Sequence, residues 1–129
     1  MNTQVMHETT TRSLAGTITF PEVVMKLMQI GTESYHCDLV RKAKTYYMPD
    51  GQTHFEELDY KGPAIAENFS QEQVIAAIRA IQKQEINYKE FLNRIMKAGT
   101  TRYFVFLQGK KAIYYGRKGD FHIENFPSK

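Results

Sequence analysis

The chain carries one cysteine, Cys37, in 129 residues. No internal disulfide can form, and no cysteine-based metal site can be assembled. A lone thiol suits a reducing, cytoplasmic setting. Parity along its segment places Cys37 beside Tyr35 and Leu39, as an inert buried thiol rather than a nucleophile. Long apolar runs are also missing. None approaches the 18 residues of a membrane span, and the opening "MNTQVMHETTTR" lacks the apolar stretch of a secretory signal. Charge of one sign is scarce too. A net charge of +3 does not by itself point to nucleic acid. The sequence contains no G-x-S-x-G, P-loop, G-x-G-x-x-G or H-E-x-x-H, so none of the reactions those motifs support is indicated. No residue set implies a cofactor.

What the chain does have is a repeat. "YYMPDGQTHFE" (46–56) and "YYGRKGDFHIE" (114–124) share Tyr-Tyr, a glycine, a histidine and a glutamate at matching places. Sliding the chain on itself by 68 residues extends the match without a gap from Ile18/Ile86 to Glu56/Glu124, with at least 12 of 39 positions identical. Ordinary composition gives roughly two or three. Such a repeat has to be recognised before any fold is assigned.

The aligned residues carry local structure. Thr19 and Asn87 each precede a glutamate by three positions, Glu22 and Glu90, the capping-box spacing that opens a helix. Val23, Val24, Leu27, Met28 and Ile30 form an apolar stripe, with Phe91, Leu92, Ile95 and Met96 as its counterpart. Gly31 and Gly99 end both helices. Alternating strands follow at Tyr35–Leu39 and Tyr103–Leu107, and second strands at 44–48 and 111–116. Third strands carry Phe55, Phe121 and Ile123. "SQEQVIAAIRAIQKQ" reads as a helix capped by Ser70. By the 68-residue shift, the threonine-rich start of the chain is expected to form a helix from near Asn2, although threonine is a poor helix former.

The fold expected is therefore α+β: a duplicated helix-helix-strand-strand-strand unit forming one antiparallel sheet of about six strands, with helices on one face. It is a single domain of residues 1–129 made of two repeats, about 1–61 and 69–129, with a linker at 59–68. Side-chain alternation predicts Phe55 and Ile123 in the core, with His54, Glu56, His122 and Glu124 facing away.

The second-half pattern "INYKEFLNRIMKAGTTRYFVFLQGKKAIYYGRKGDFHIE" resembles the YbcV-like family of bacterial and prophage proteins, a domain of unknown function sometimes labelled phage envelope protein. The resemblance covers nearly the whole chain. Where relatives often carry tryptophan after the glycine, this chain has Tyr103. Where they often carry cysteine in the preceding helix, it has Leu92 or Asn93. The resemblance implies no established activity and so no catalytic residues, and the envelope label has no residue to support it.

Three functional classes follow. The first is a non-enzymatic binding or interaction module using an open sheet face around His36, Asp38, Phe104 and Phe106, with the ring platforms of Tyr46 and Tyr114 as further candidates. A strand apolar on both sides, such as 103–107, needs a second cover; a second copy of the chain, another protein or a small ligand would supply one. The second is a small enzyme or metal-binding protein built on His54, Glu56, His122 and Glu124, which requires the two third strands to meet. The third is a weak nucleic-acid binder gripping phosphates with the basic hairpin tips Arg41, Lys42 and Lys44, and Lys110 and Lys111. No membrane partner is expected.

Overall fold

The computed structural model describes residues 1–127. Elements run α1 (Thr3–Ala15), α2 (Phe20–Gln29), β1 (Ser34–Asp38), β2 (Ala43–Tyr47), β3 (Thr53–Glu57), α3 (Gln71–Gln82), α4 (Tyr88–Lys97), β4 (Thr100–Phe106), β5 (Lys111–Gly116) and β6 (Phe121–Asn125). The strands form one antiparallel sheet in the order β3-β2-β1-β4-β5-β6. The sheet crosses from one half to the other at the β1–β4 pair. Among the described residues no helix is long and apolar enough to cross a membrane.

The start of α1 follows the repeat rather than local propensity. Asn2 accepts the Val5 N–H at 3.1 Å, matching Ser70, which accepts the Gln73 N–H at 3.2 Å before α3. At α2 the box is complete: Thr19 Oγ1 accepts the Glu22 N–H, and Glu22 Oε1 accepts the Thr19 N–H at 2.9 Å. These bonds hold the Glu22 carboxyl below its ordinary pKa. At α4 only half of the box forms. Asn87 accepts the Glu90 N–H at 2.9 Å, while Glu90 turns to Arg94 at 3.0 Å.

Backbone geometry repeats with the sequence. Positive φ occurs at Gly16 and Gln84, Gly31 and Gly99, Lys42 and Lys110, and Gly51 and Gly119, each pair 68 residues apart. The β1–β4 register places His36 opposite Phe104. Those two residues are also 68 apart, so the internal two-fold axis passes through this pair.

The core lies between the helices and one sheet face. It is built from Tyr35, Cys37, Tyr46, Tyr103, Val105 and Tyr114 of the sheet against Met6, Leu27, Ile78, Phe91, Leu92 and Ile95 of the helices. Cys37 is buried, and burial pushes its thiol pKa up, as an inert packing role requires. Tyr46 anchors α1: its hydroxyl donates to the Met6 carbonyl at 3.1 Å and bonds Thr10 Oγ1 at 2.6 Å.

The third strands reverse the facing that alternation predicts. Phe55 and Ile123 are 44% and 45% exposed, while His54, Glu56, His122 and Glu124 turn toward the helices. Register is the reason: Tyr46 pairs with His54 and Tyr114 with His122, and directly paired residues share a face. Three residues, Pro49 to Gly51, sit inside the loop closed by the Met48–Gln52 bond of 2.9 Å. A loop longer or shorter by one residue would have turned Phe55 inward.

Lys44 is a second correction. Expected at a basic tip, it is 2% exposed; it shares the inward face of Tyr46, two residues along. Met28, expected in the buried stripe of α2, lies exposed. The segment between β3 and α3 has no regular structure but is stapled across α4. The Ala66 N–H donates to the Met96 carbonyl at 3.1 Å, and the Ser70 N–H to the Ala98 carbonyl at 2.8 Å.

Candidate functional site on the open sheet face

Among the described residues no helix packs on the face opposite the core, and the residues of that face stand outside the core cluster. Register assembles it row by row. One row crosses all six strands as Phe55, Thr45, His36, Phe104, Ile113 and Ile123. A flanking row runs Thr53, Tyr47, Ser34, Phe106, Lys111 and Asn125, and the other Glu57, Ala43, Asp38, Arg102, Tyr115 and Phe121. The third strands contribute Phe55, Phe121 and Ile123, which residue-level reasoning assigned to the core or left unplaced. Strand parity holds the signal for them, but only the register says which parity faces out.

At the centre the His36 and Phe104 rings stack at 4.3 Å and 6°. Phe106 stacks on Phe104 at 5.9 Å, and Tyr115 meets it edge-on at 6.1 Å. Burial lowers the His36 pKa, with Asp38 raising it and Arg102 lowering it, so the ring is neutral at pH 7. Its Nε2 is buried without a hydrogen-bond partner among the described residues. At the rim, the Arg41 guanidinium sits 4.8 Å over the Phe55 ring. A depression of about 320 Å³ beside Phe104 is bordered by Arg102, Tyr115 and Arg117.

The structure brings His36, Phe104 and Phe106 together on this face. Asp38 lies on the same face, opposite Arg102, with its Oδ1 accepting the Val40 and Arg41 N–H groups. Tyr46 and Tyr114 are not part of it; both are buried on the helix side.

The His/Glu pairs form two separate constellations. His54 Nε2 lies 2.5 Å from Glu56, which His7 of α1 also reaches at 2.8 Å. His122 Nε2 lies 3.0 Å from Glu124, which Arg79 of α3 holds at 2.7 Å, and Gln71 meets the other His122 nitrogen at 3.0 Å. The pairs occupy opposite sheet edges, about 24 Å apart across five strand spacings. They cannot share a substrate or an ion. Among the described residues no group of three or more His, Cys, Asp or Glu side chains could hold a metal ion.

Burial raises the pKa of both glutamates, and their partners more than offset it. Glu56 is lowered by His7 and His54, and Glu124 by Arg79 and His122. A carboxyl with a lowered folded pKa stabilises the fold above its unfolded pKa and loses that contribution as pH falls. The expected outcome is that the double variant Glu56→Gln/Glu124→Gln loses less stability than the parent between pH 6 and pH 3, measured by urea unfolding at each pH. Parallel losses would show that these pairs do not carry the acid sensitivity.

The basic tips do not form one groove. Because β1 and β4 are antiparallel, the turn holding Arg41 and Lys42 and the turn holding Lys110 lie at opposite ends of the sheet. Lys44 is buried between sheet and helices.

The architecture defines the class of protein: an α+β scaffold in which a twice-used helix-helix-strand-strand-strand unit leaves one sheet face open. The chain belongs to the family described as protein of unknown function (DUF1398), whose model matches residues 50–125. No match is found among curated proteins.

Proposed function

We propose that this protein is a small non-enzymatic binding module that pairs with a second copy of itself through the open sheet face. One observation carries the reading: the unbroken row from Phe55 to Ile123, apolar except at Thr45 and His36, spans six strands with no helix above it among the described residues. Stacked sheets pack about 10 Å apart with interdigitated side chains, and an identical face offers the same ring-studded surface in return. Its flanks carry both signs, Arg102 and Lys111 against Asp38 and Glu57, so a two-fold pairing can oppose unlike charges. Six strands by five residues cover a flat footprint of roughly 400–450 Å² per copy. That is near the lower limit for a specific interface, so the dimer is concentration-dependent rather than obligate. The single domain formed by the two repeats, a reducing cytoplasmic setting suited to one buried thiol, and a place among YbcV-like relatives belong to the same reading.

Sedimentation across a concentration series is expected to show monomer giving way to dimer in roughly the micromolar range. Phe104→Asp is expected to leave a folded monomer, judged by circular dichroism, because a carboxylate at the centre of the face would be buried against the second copy. A parent that stays monomeric at millimolar concentration, or a Phe104→Asp variant that dimerises like the parent, would overturn the reading.

A further inference from the structure

The helix-covered side of the sheet holds a different feature. A cavity of about 540 Å³ lies between the helices and the sheet, floored by Tyr35, Tyr103 and Tyr114 and walled by Val23, Ile78 and Phe91. Phe20 and Phe126 also line it, and their rings meet edge to face at 5.5 Å. The volume falls within the range of small-molecule sites, which combine an apolar lining with a few placed polar groups.

Several polar side chains line it, Glu85, Gln82, Gln84 and Asn87 among them, and three on the sheet can donate: Lys44, Tyr35 and Tyr114. Lys44 lines the cavity, its ammonium 4.6 Å over the Tyr35 ring and 5.4 Å over the Tyr46 ring. Among the described residues no carboxylate lies within 4.0 Å of it. Glu56, directly across on β3, is taken by His7 and His54, and Glu124, which also borders the cavity, by Arg79 and His122. The Tyr35 and Tyr114 hydroxyls likewise have no hydrogen-bond partner among the described residues. An ammonium and two phenols able to donate therefore face the cavity from the sheet, with no protein acceptor bonded to any of them among the described residues. A carboxylate that replaced water on these donors would gain charge-assisted hydrogen bonds in apolar surroundings.

We propose that this cavity binds an amphipathic monocarboxylate, with its head on Lys44 and its apolar body between Val23, Ile78 and Phe91. The carboxylate supplies the missing acceptor and counter-charge, and the walls take the hydrocarbon or aromatic part. The site is distinct from the open face and does not depend on pairing.

The test uses the full chain with decanoate and 4-phenylbutanoate as probes, and decanol as the uncharged control, followed by calorimetry. At least one carboxylate binds, and decanol binds it roughly tenfold to hundredfold more weakly, the worth of a charge-assisted hydrogen bond. Lys44→Met lowers carboxylate affinity by a similar factor and leaves decanol binding in place. Ala112→Phe, which puts a ring into the cavity from its floor, abolishes binding of both. Failure of both carboxylates to bind, equal affinity for carboxylate and alcohol, or carboxylate binding unchanged in either variant would each overturn the proposal. Retained decanol binding in Lys44→Met shows that this variant is folded.

Discussion

Gly99→Ala is expected to cost roughly 3 kcal/mol or more of folding stability, whereas Gly31→Ala, at the equivalent place in the first half, costs about 1–2 kcal/mol. Both glycines follow a helix with positive φ, +94° and +80°, so each substitution pays for a left-handed side chain. The surroundings differ. A Cβ on Gly99 would fall on the Asn68 carbonyl oxygen and within 2.8 Å of the Phe69 Cα, both backbone atoms, whereas on Gly31 it would meet only Met48 Cε at 3.9 Å. The segment before α3 crosses directly over the end of α4, held by the Ser70–Ala98 bond. It cannot move aside without losing that bond. Urea unfolding of the two variants checks this; equal costs would show that the crossing segment yields freely.

The second large effect again separates two identical residues. Met96→Ala is expected to destabilise by about 2–5 kcal/mol, and Met28→Ala by no more than roughly 0.5 kcal/mol. Met96 is fully buried and Met28 is 45% exposed, although they stand 68 residues apart in matching helices. The carbonyl of Met96 also receives the Ala66 N–H, which ties the chain before α3 to this turn of α4. Thermal or urea unfolding measures both variants. A Met28→Ala cost comparable to that of Met96→Ala would mean that the two halves bury their helices equally, against the exposures seen here.

Much of the architecture was legible from Tyr46, Tyr114 and their neighbours. Residues that recur at a fixed interval report equivalent places, and the paired positive-φ positions, including the non-glycines Lys42, Lys110 and Gln84, follow that interval. The threonine-rich first helix is the clearest instance: the repeat placed it correctly against its own propensity. The candidate face was legible only in its centre. His36, Phe104 and Phe106 were found because β4 is apolar on both sides, whereas Phe55 and Ile123 were assigned inward because apolar side chains usually are. The energetic preference for burying Phe55 is overridden at the sheet edge. There His7 and Arg79 reach from the helices to satisfy the turned-in glutamates, and Arg41 covers part of the Phe55 ring.

The sequence by itself determined the repeat, the helix starts, the glycine stops after α2 and α4, and an antiparallel sheet of about six strands. These depend on local capping, turn residues and period, which act within a few positions along the chain. Only the tertiary structure decided which face each third strand shows, where Lys44 resides and how unequally the two halves are buried. A strand has two faces with the same period, and the choice between them rests on the register with a neighbour, where a slip of one residue exchanges inside for outside.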